Sequence, residues 1–157
     1  RDDFQAEDLA RCCDALRALR PLPPEQVREA SAVLDVLAEG LLLRELAELG
    51  PAKAIQVLRC YADYGLVEGG GRSPSSDLCW ALARELQGSL RAHGKENPED
   101  LAALALALAV GGLSHDELWE ELVHNLGFEA HRLSGPAAAS AVYAAARAGR
   151  CPAGLFE

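Results

Sequence analysis

The chain has 157 residues, half of them apolar but only 5% aromatic, and 24 acids against 15 bases leave it with a net charge of −9. Such a chain is too apolar to be disordered, and its acidic field repels phosphate unless a local basic face overcomes it. Much of the apolar content is Ala and Leu, which favour close-packed helices over strands.

Gln5 to Leu19 is the first predicted helix, with Leu9, Cys13 and Leu16 on one stripe and Glu7 and Asp8 in its first turn. Pro21, Pro23 and Pro24 end it. Pro24 then suits the first position of a second helix, in which Val27, Ala30, Val33 or Leu34, and Leu37 recur at helical spacing. Gly40 interrupts and Leu41–Leu49 resumes, so the pattern fits one kinked helix or two short ones. Gly50 and Pro51 open a third helix that carries Ile55, Leu58 and Ala62 inward and stops at Gly65. Residues 68–77, EGGGRSPSSD, read as a flexible loop long enough to be functional. Ser75 or Ser76 is expected to cap a fourth helix from Asp77 to about Ala92, with Trp80, Ala83 and Leu86 or Gln87 along one side and His93 and Gly94 at its end.

Asn97–Leu122 is the clearest unit. Asn97 and Pro98 start a helix, Glu99 and Asp100 fill its first turn, Leu101–Val110 form an apolar body, and Gly111 and Gly112 stop it. Ser114 and Glu117 have capping-box spacing ahead of Leu118, Trp119 and Leu122. The apolar body is about half of the roughly 20 residues that a membrane span needs, so it reads as a buried helix. Ser134-Gly135-Pro136 begins an Ala-rich helix to Ala148, stopped by Gly149, and Leu155-Phe156-Glu157 stand where a further partner helix is expected. With no Met and no leader-like segment, the chain is expected to be a processed product or a fragment.

First-helix starts at Ala6, Pro51, Pro98 and Pro136 lie 45, 47 and 38 residues apart, and Trp80, Trp119 and Phe156 are separated by 39 and 37. Two registers with nearly one period predict an all-α, right-handed-type α-solenoid of about three and a half helix-turn-helix repeats. It forms one domain over residues 1–157, with hairpins at 5–49, 51–92, 97–130 and an incomplete 135–157.

The run through residues 98–119, proline, polar residues, an alternating Leu/Ala body, Gly, then Asp-Glu-Leu-aromatic, resembles the degenerate hairpins of octotricopeptide and heptatricopeptide repeat proteins. It is similar also to the leucine-rich region of FAST-kinase-like and RAP-domain-associated proteins, and residues 51–80 and 136–156 share the pattern more weakly. The resemblance implies a mitochondrial or plastid protein that binds RNA or serves as a subunit of a large assembly such as an organellar ribosome. If first helices line the binding face, it implies base contacts from Lys53 and Gln56.

The chemistry-bearing residues have structural readings. The acid pairs Glu99/Asp100 and Asp116/Glu117 lie in first helical turns, where unpaired N–H groups favour carboxylates. His115, His124 and His131 lack metal-ligand spacing, and Gly69-Gly70-Gly71 lacks the GK[ST] ending of a phosphate loop. Five cysteines, Cys12, Cys13, Cys60, Cys79 and Cys151, show no CxxC pair and read as small buried thiols in a reducing compartment. Neither a metal nor a cofactor is expected, and no catalytic constellation is present. From Glu96 to His131 there are eight acids and no Lys or Arg, which breaks any basic track for RNA. The leading expectation is therefore a non-enzymatic adaptor that meets protein subunits through Leu155, Phe156, Asp116, Glu120 and Glu121. The alternative is an RNA-binding repeat using Lys53, Gln56, Arg59, Arg147 and Arg150. A third is an enzyme domain with an unrecognised site.

Overall fold

The computed structural model describes residues 5–67 and 73–150. Among the described residues there are eight α-helices and no strand. They are α1 (Ala6–Ala18), α2 (Pro24–Leu42), α3 (Gly50–Asp63), α4 (Pro74–Leu86), α5 (Leu90–Glu96), α6 (Pro98–Gly111), α7 (Asp116–Glu129) and α8 (Gly135–Arg147). Short 3-10 turns occupy Leu46–Leu49 and Ala130–Arg132. No helix of the described residues is long and apolar enough to cross a membrane.

Proline in the first turn starts α2, α3, α4, α6 and α8, where its fixed φ suits a helix and its missing N–H is not needed. Gly40 does not break α2. A single helix runs through it to Leu42, because the packing of Ala38 and Leu41 continues across that turn. The fourth helix differs from expectation at both ends. Pro74 holds Ser73 in an extended conformation, so the Ser73 hydroxyl accepts the Ser76 N–H at 3.1 Å and the helix begins before Asp77. It then stops at Leu86. Gln87 is extended and Gly88 takes φ +84, and α5 starts beyond them. His93 and Gly94, expected as a terminus, are instead buried inside α5, where a Cβ on Gly94 would come within 2.5 Å of Leu101 Cδ1.

The start of α7 is also corrected. Ser114 lies one residue outside the cap position, and His115 fills it, its Nδ1 accepting the Leu118 N–H at 3.3 Å. The His115 ring is held against Trp80, with centroids 5.6 Å apart.

α1 packs on α3, α3 on α6, and α6 on α8, which makes one row of helices. In the other row α2 packs on α4 and α4 touches α7, while α5, which follows α4 in the chain, packs on α6 and α7. α6 is apolar all round and sits in the centre, its Leu101, Leu104, Ala105 and Leu108 buried. Tyr61 of α3 and Tyr64 just beyond its end anchor the first two helices by donating hydroxyl hydrogen bonds to the carbonyls of Leu34 (2.8 Å) and Leu16 (2.7 Å). Cys13, Cys60 and Cys79 are buried free thiols, whereas Cys12 is half-buried. Cys151 lies outside the described residues.

The two tryptophans do not occupy equivalent environments. Trp119 is buried and donates its indole N–H to the Leu113 carbonyl at 3.0 Å, while Trp80 is 37% exposed beside His115. The long spacing from Pro51 to Pro98 has a simple origin in the inserted α5.

Candidate functional site

Helical spacing brings Ala103, Leu106 and Val110 to one side of α6, and neighbouring helices raise walls around them. Arg17 of α1 with Arg59 and Asp63 of α3 flank this strip on one side, enclosing a hollow of 80 Å³. On the other, Arg59, Glu99 and Asp100 face Ser134, Pro136 and Ser140 across a hollow of 330 Å³. Sharing Arg59, Ala103 and Leu106, the two hollows form one furrow across the first row. Tyr143 stands three residues beyond Ser140 and is 53% exposed. A larger hollow of 510 Å³ lies against Trp119, Arg147 and Arg150. It reaches Arg150, the last described residue, so the furrow is the better-bounded surface.

Charges around the furrow are mostly satisfied within the chain. Arg17 Nε lies 2.9 Å from Asp63 Oδ2. His93 Nε2 lies 2.8 Å from Asp100 Oδ2, and Glu99 accepts the Ser134 N–H at 3.1 Å. The Ser134 hydroxyl first, and then this N–H, hold Glu99 below the usual carboxylate range. Arg59 is the exception, with no hydrogen bond or ion pair among the described residues. Burial and then the neighbouring Arg17 charge lower its pKa, yet an arginine stays protonated. The furrow thus holds an unpaired guanidinium over an apolar floor.

The RNA-contact candidates do not form a basic track. Lys53 is paired with Glu7 at 3.0 Å, Arg150 bonds Asp116, and Arg147 Nε donates to the Ala109 carbonyl at 3.1 Å. Only Arg59 and the half-buried Gln56, one turn before it on α3, remain for a ligand. Among the protein-contact candidates, Glu120 is exposed, and Asp116 is exposed but held by Arg150. Glu121 is turned inward, its carboxylate accepting the N–H groups of Gly88 and Leu90 at 2.6 and 3.1 Å. This spends its lone pairs on the start of α5 and removes it as a docking residue. Leu155 and Phe156 lie outside the described residues.

The furrow floor was not visible as a surface in the sequence, because Leu106 and Val110 belong to a run that reads as pure core. The available signal was the absence of any polar residue between Asp100 and Gly111, more apolar surface than one buried face needs. Among the described residues no three metal-ligating side chains come together. Compared with known proteins, the chain matches no family model, no curated protein and no solved structure.

Proposed function

We propose that the chain is a non-enzymatic helical-repeat adaptor, its two rows forming an α-solenoid, which holds a protein subunit of a larger assembly in the furrow across α1, α3, α6 and α8. One observation carries this reading. The furrow floor is apolar, whereas Arg17, Lys53, Arg147 and Arg150, which would recruit a phosphate backbone, are held by Asp63, Glu7, the Ala109 carbonyl and Asp116 and leave only Arg59 unpaired among these candidates. A surface of this kind gains affinity by releasing water from Leu106 and Val110 and orientation from a carboxylate that meets Arg59. The mitochondrial or plastid setting rests on the sequence resemblance alone.

A second reading, an organellar RNA-binding repeat, draws on Arg59 and Gln56, which stand one turn apart on α3 with no partners for the guanidinium. Two such groups neutralise little of a nucleic-acid backbone. Native capture from an organelle lysate, split into nuclease-treated and untreated halves, separates the two. The adaptor reading expects partners that survive nuclease and are lost with Val110→Asp, a variant at a 46% exposed position. Partners that vanish with the RNA, together with steeply salt-dependent RNA binding by the purified chain, overturn it.

A further inference from the structure

The furrow is walled and floored by helices, whose backbones are hydrogen-bonded within themselves. Its floor is the middle of α6 and one wall is the middle of α3 around Arg59, so neither offers free N–H or C=O groups to a peptide. On the α8 side Pro136 has no N–H, and the Ala137 N–H is taken by the Ser134 hydroxyl at 3.4 Å. An extended strand laid here would press unpaired backbone groups against apolar side chains, whereas a helix brings its own already satisfied. From Glu99 to Val110 the floor spans eleven residues, about 16 Å or three turns, which is room for anchors at i, i+4 and i+7 of such a helix.

Charge then changes sign along this floor. At its start Glu99 is bound by the Ser134 N–H and Asp100 Oδ2 by His93, but the second Asp100 oxygen has no partner among the described residues and the side chain is 36% exposed. In mid-furrow Arg17 and Asp63 neutralise each other, and Arg20 is spent on the Asp63 carbonyl. The Asp14 charge also acts on Arg59, but it stands exposed on α1, where solvent screens it. Arg59, shared by both hollows, is left as the positive point beside Ala103 and Leu106. A phosphate backbone reaching it along the floor would meet Glu99 and Asp100 first.

We infer that the furrow holds an amphipathic helix of the partner subunit, with an Asp or Glu against Arg59, a Lys or Arg about one turn away against Asp100, and apolar side chains on Ala103, Leu106 and Val110. This deepens the adaptor reading and rests on it. An acid and a base four residues apart also pair with each other in the free helix, so the segment arrives with its charges already on one face.

The probe is a phage-displayed library of peptides of about 18 residues, long enough to be helical alone, with one face randomised on an Ala/Gln frame. It is selected on the purified full chain, and binders that also hold Val110→Asp are removed. The expected survivors carry an acid and a base four residues apart among Leu, Ile or Val, and Arg59→Gln weakens them about tenfold while helical circular dichroism is unchanged. Selection on Arg59→Glu is expected to replace the acid by Lys or Arg. No enriched helix, a consensus without the acid, or the same consensus on Arg59→Glu overturns the inference. If partners captured from a lysate resist nuclease but no helix is selected, this inference alone fails; if they vanish with the RNA, the adaptor reading fails and takes it along.

Discussion

The carboxylate of Glu121 accepts the backbone N–H of Gly88 at 2.6 Å, and its other oxygen takes that of Leu90 at 3.1 Å. An acid on α7 thereby caps α5 from across the fold, doing for that helix what no neighbour in sequence does. Glu121→Ala is expected to cost about 1 kcal/mol in urea unfolding, the usual value of a lost helix cap. Hydrogen exchange at the Gly88 and Leu90 amides should accelerate more than elsewhere, and unchanged exchange there would disprove the capping role.

Two helical glycines make opposite predictions. At Gly94 a methyl group meets Leu101 Cδ1 at 2.5 Å, so Gly94→Ala forces α5 away from α6 and should destabilise by about 1–3 kcal/mol. At Gly40 the space is open, and Gly40→Ala should stabilise by about 0.5–1 kcal/mol by raising helix propensity. Thermal unfolding of the two variants checks both signs.

Glu99 and Glu7 are both held below the ordinary value near 4.5, the first by the Ser134 hydroxyl and N–H, the second by its bond to Lys53 and the Lys53 and Arg11 charges. An acid whose folded pKa is depressed contributes stability that is present above its unfolded value and lost as pH falls through the folded one. The urea midpoint should therefore hold steady near neutrality and fall below about pH 4.5. Glu99→Gln should flatten part of that decline, and a variant with an unchanged acid limb would argue against the Ser134 contact.

The thiols should react in a fixed order. Burial pushes Cys79 up to about 12, and the adjacent Cys60 thiol and then burial push Cys13 upward as well. Since the thiolate is the nucleophile, iodoacetamide at about pH 8 should mark Cys12 in the folded chain well before Cys13, Cys60 or Cys79. Peptide mass spectrometry with and without urea reads this out. Early labelling of Cys60 would contradict the packing of α1 on α3.

Much of the helical layout could be read along the chain because its signals are local. Pro98, the acids behind it and the paired glycines bound α6 by themselves, and Ser134 caps α8 where its position predicts. What escaped depends on distant partners. The break between α4 and α5 rests on Glu121, more than thirty residues away, and the cap of α7 passes from Ser114 to His115 through backbone conformation and the Trp80 contact. The furrow was hidden for a related reason. Counting arginines and lysines cannot tell that Lys53 is tied to Glu7 while Arg59 is free, nor that one flank of an apolar helix remains open.

Tyr143, 53% exposed and one turn along α8 from the furrow-lining Ser140, offers a direct test of the furrow as a protein-binding surface, because a photo-crosslinking phenylalanine analogue changes little else there. Irradiation in an organelle lysate, with the same analogue at the exposed Trp80 on the other row as control, is the measurement of choice. The account predicts protein adducts from position 143 that resist nuclease and disappear with Val110→Asp. RNA adducts at 143, or protein adducts equally frequent from position 80 and indifferent to Val110→Asp, would contradict it.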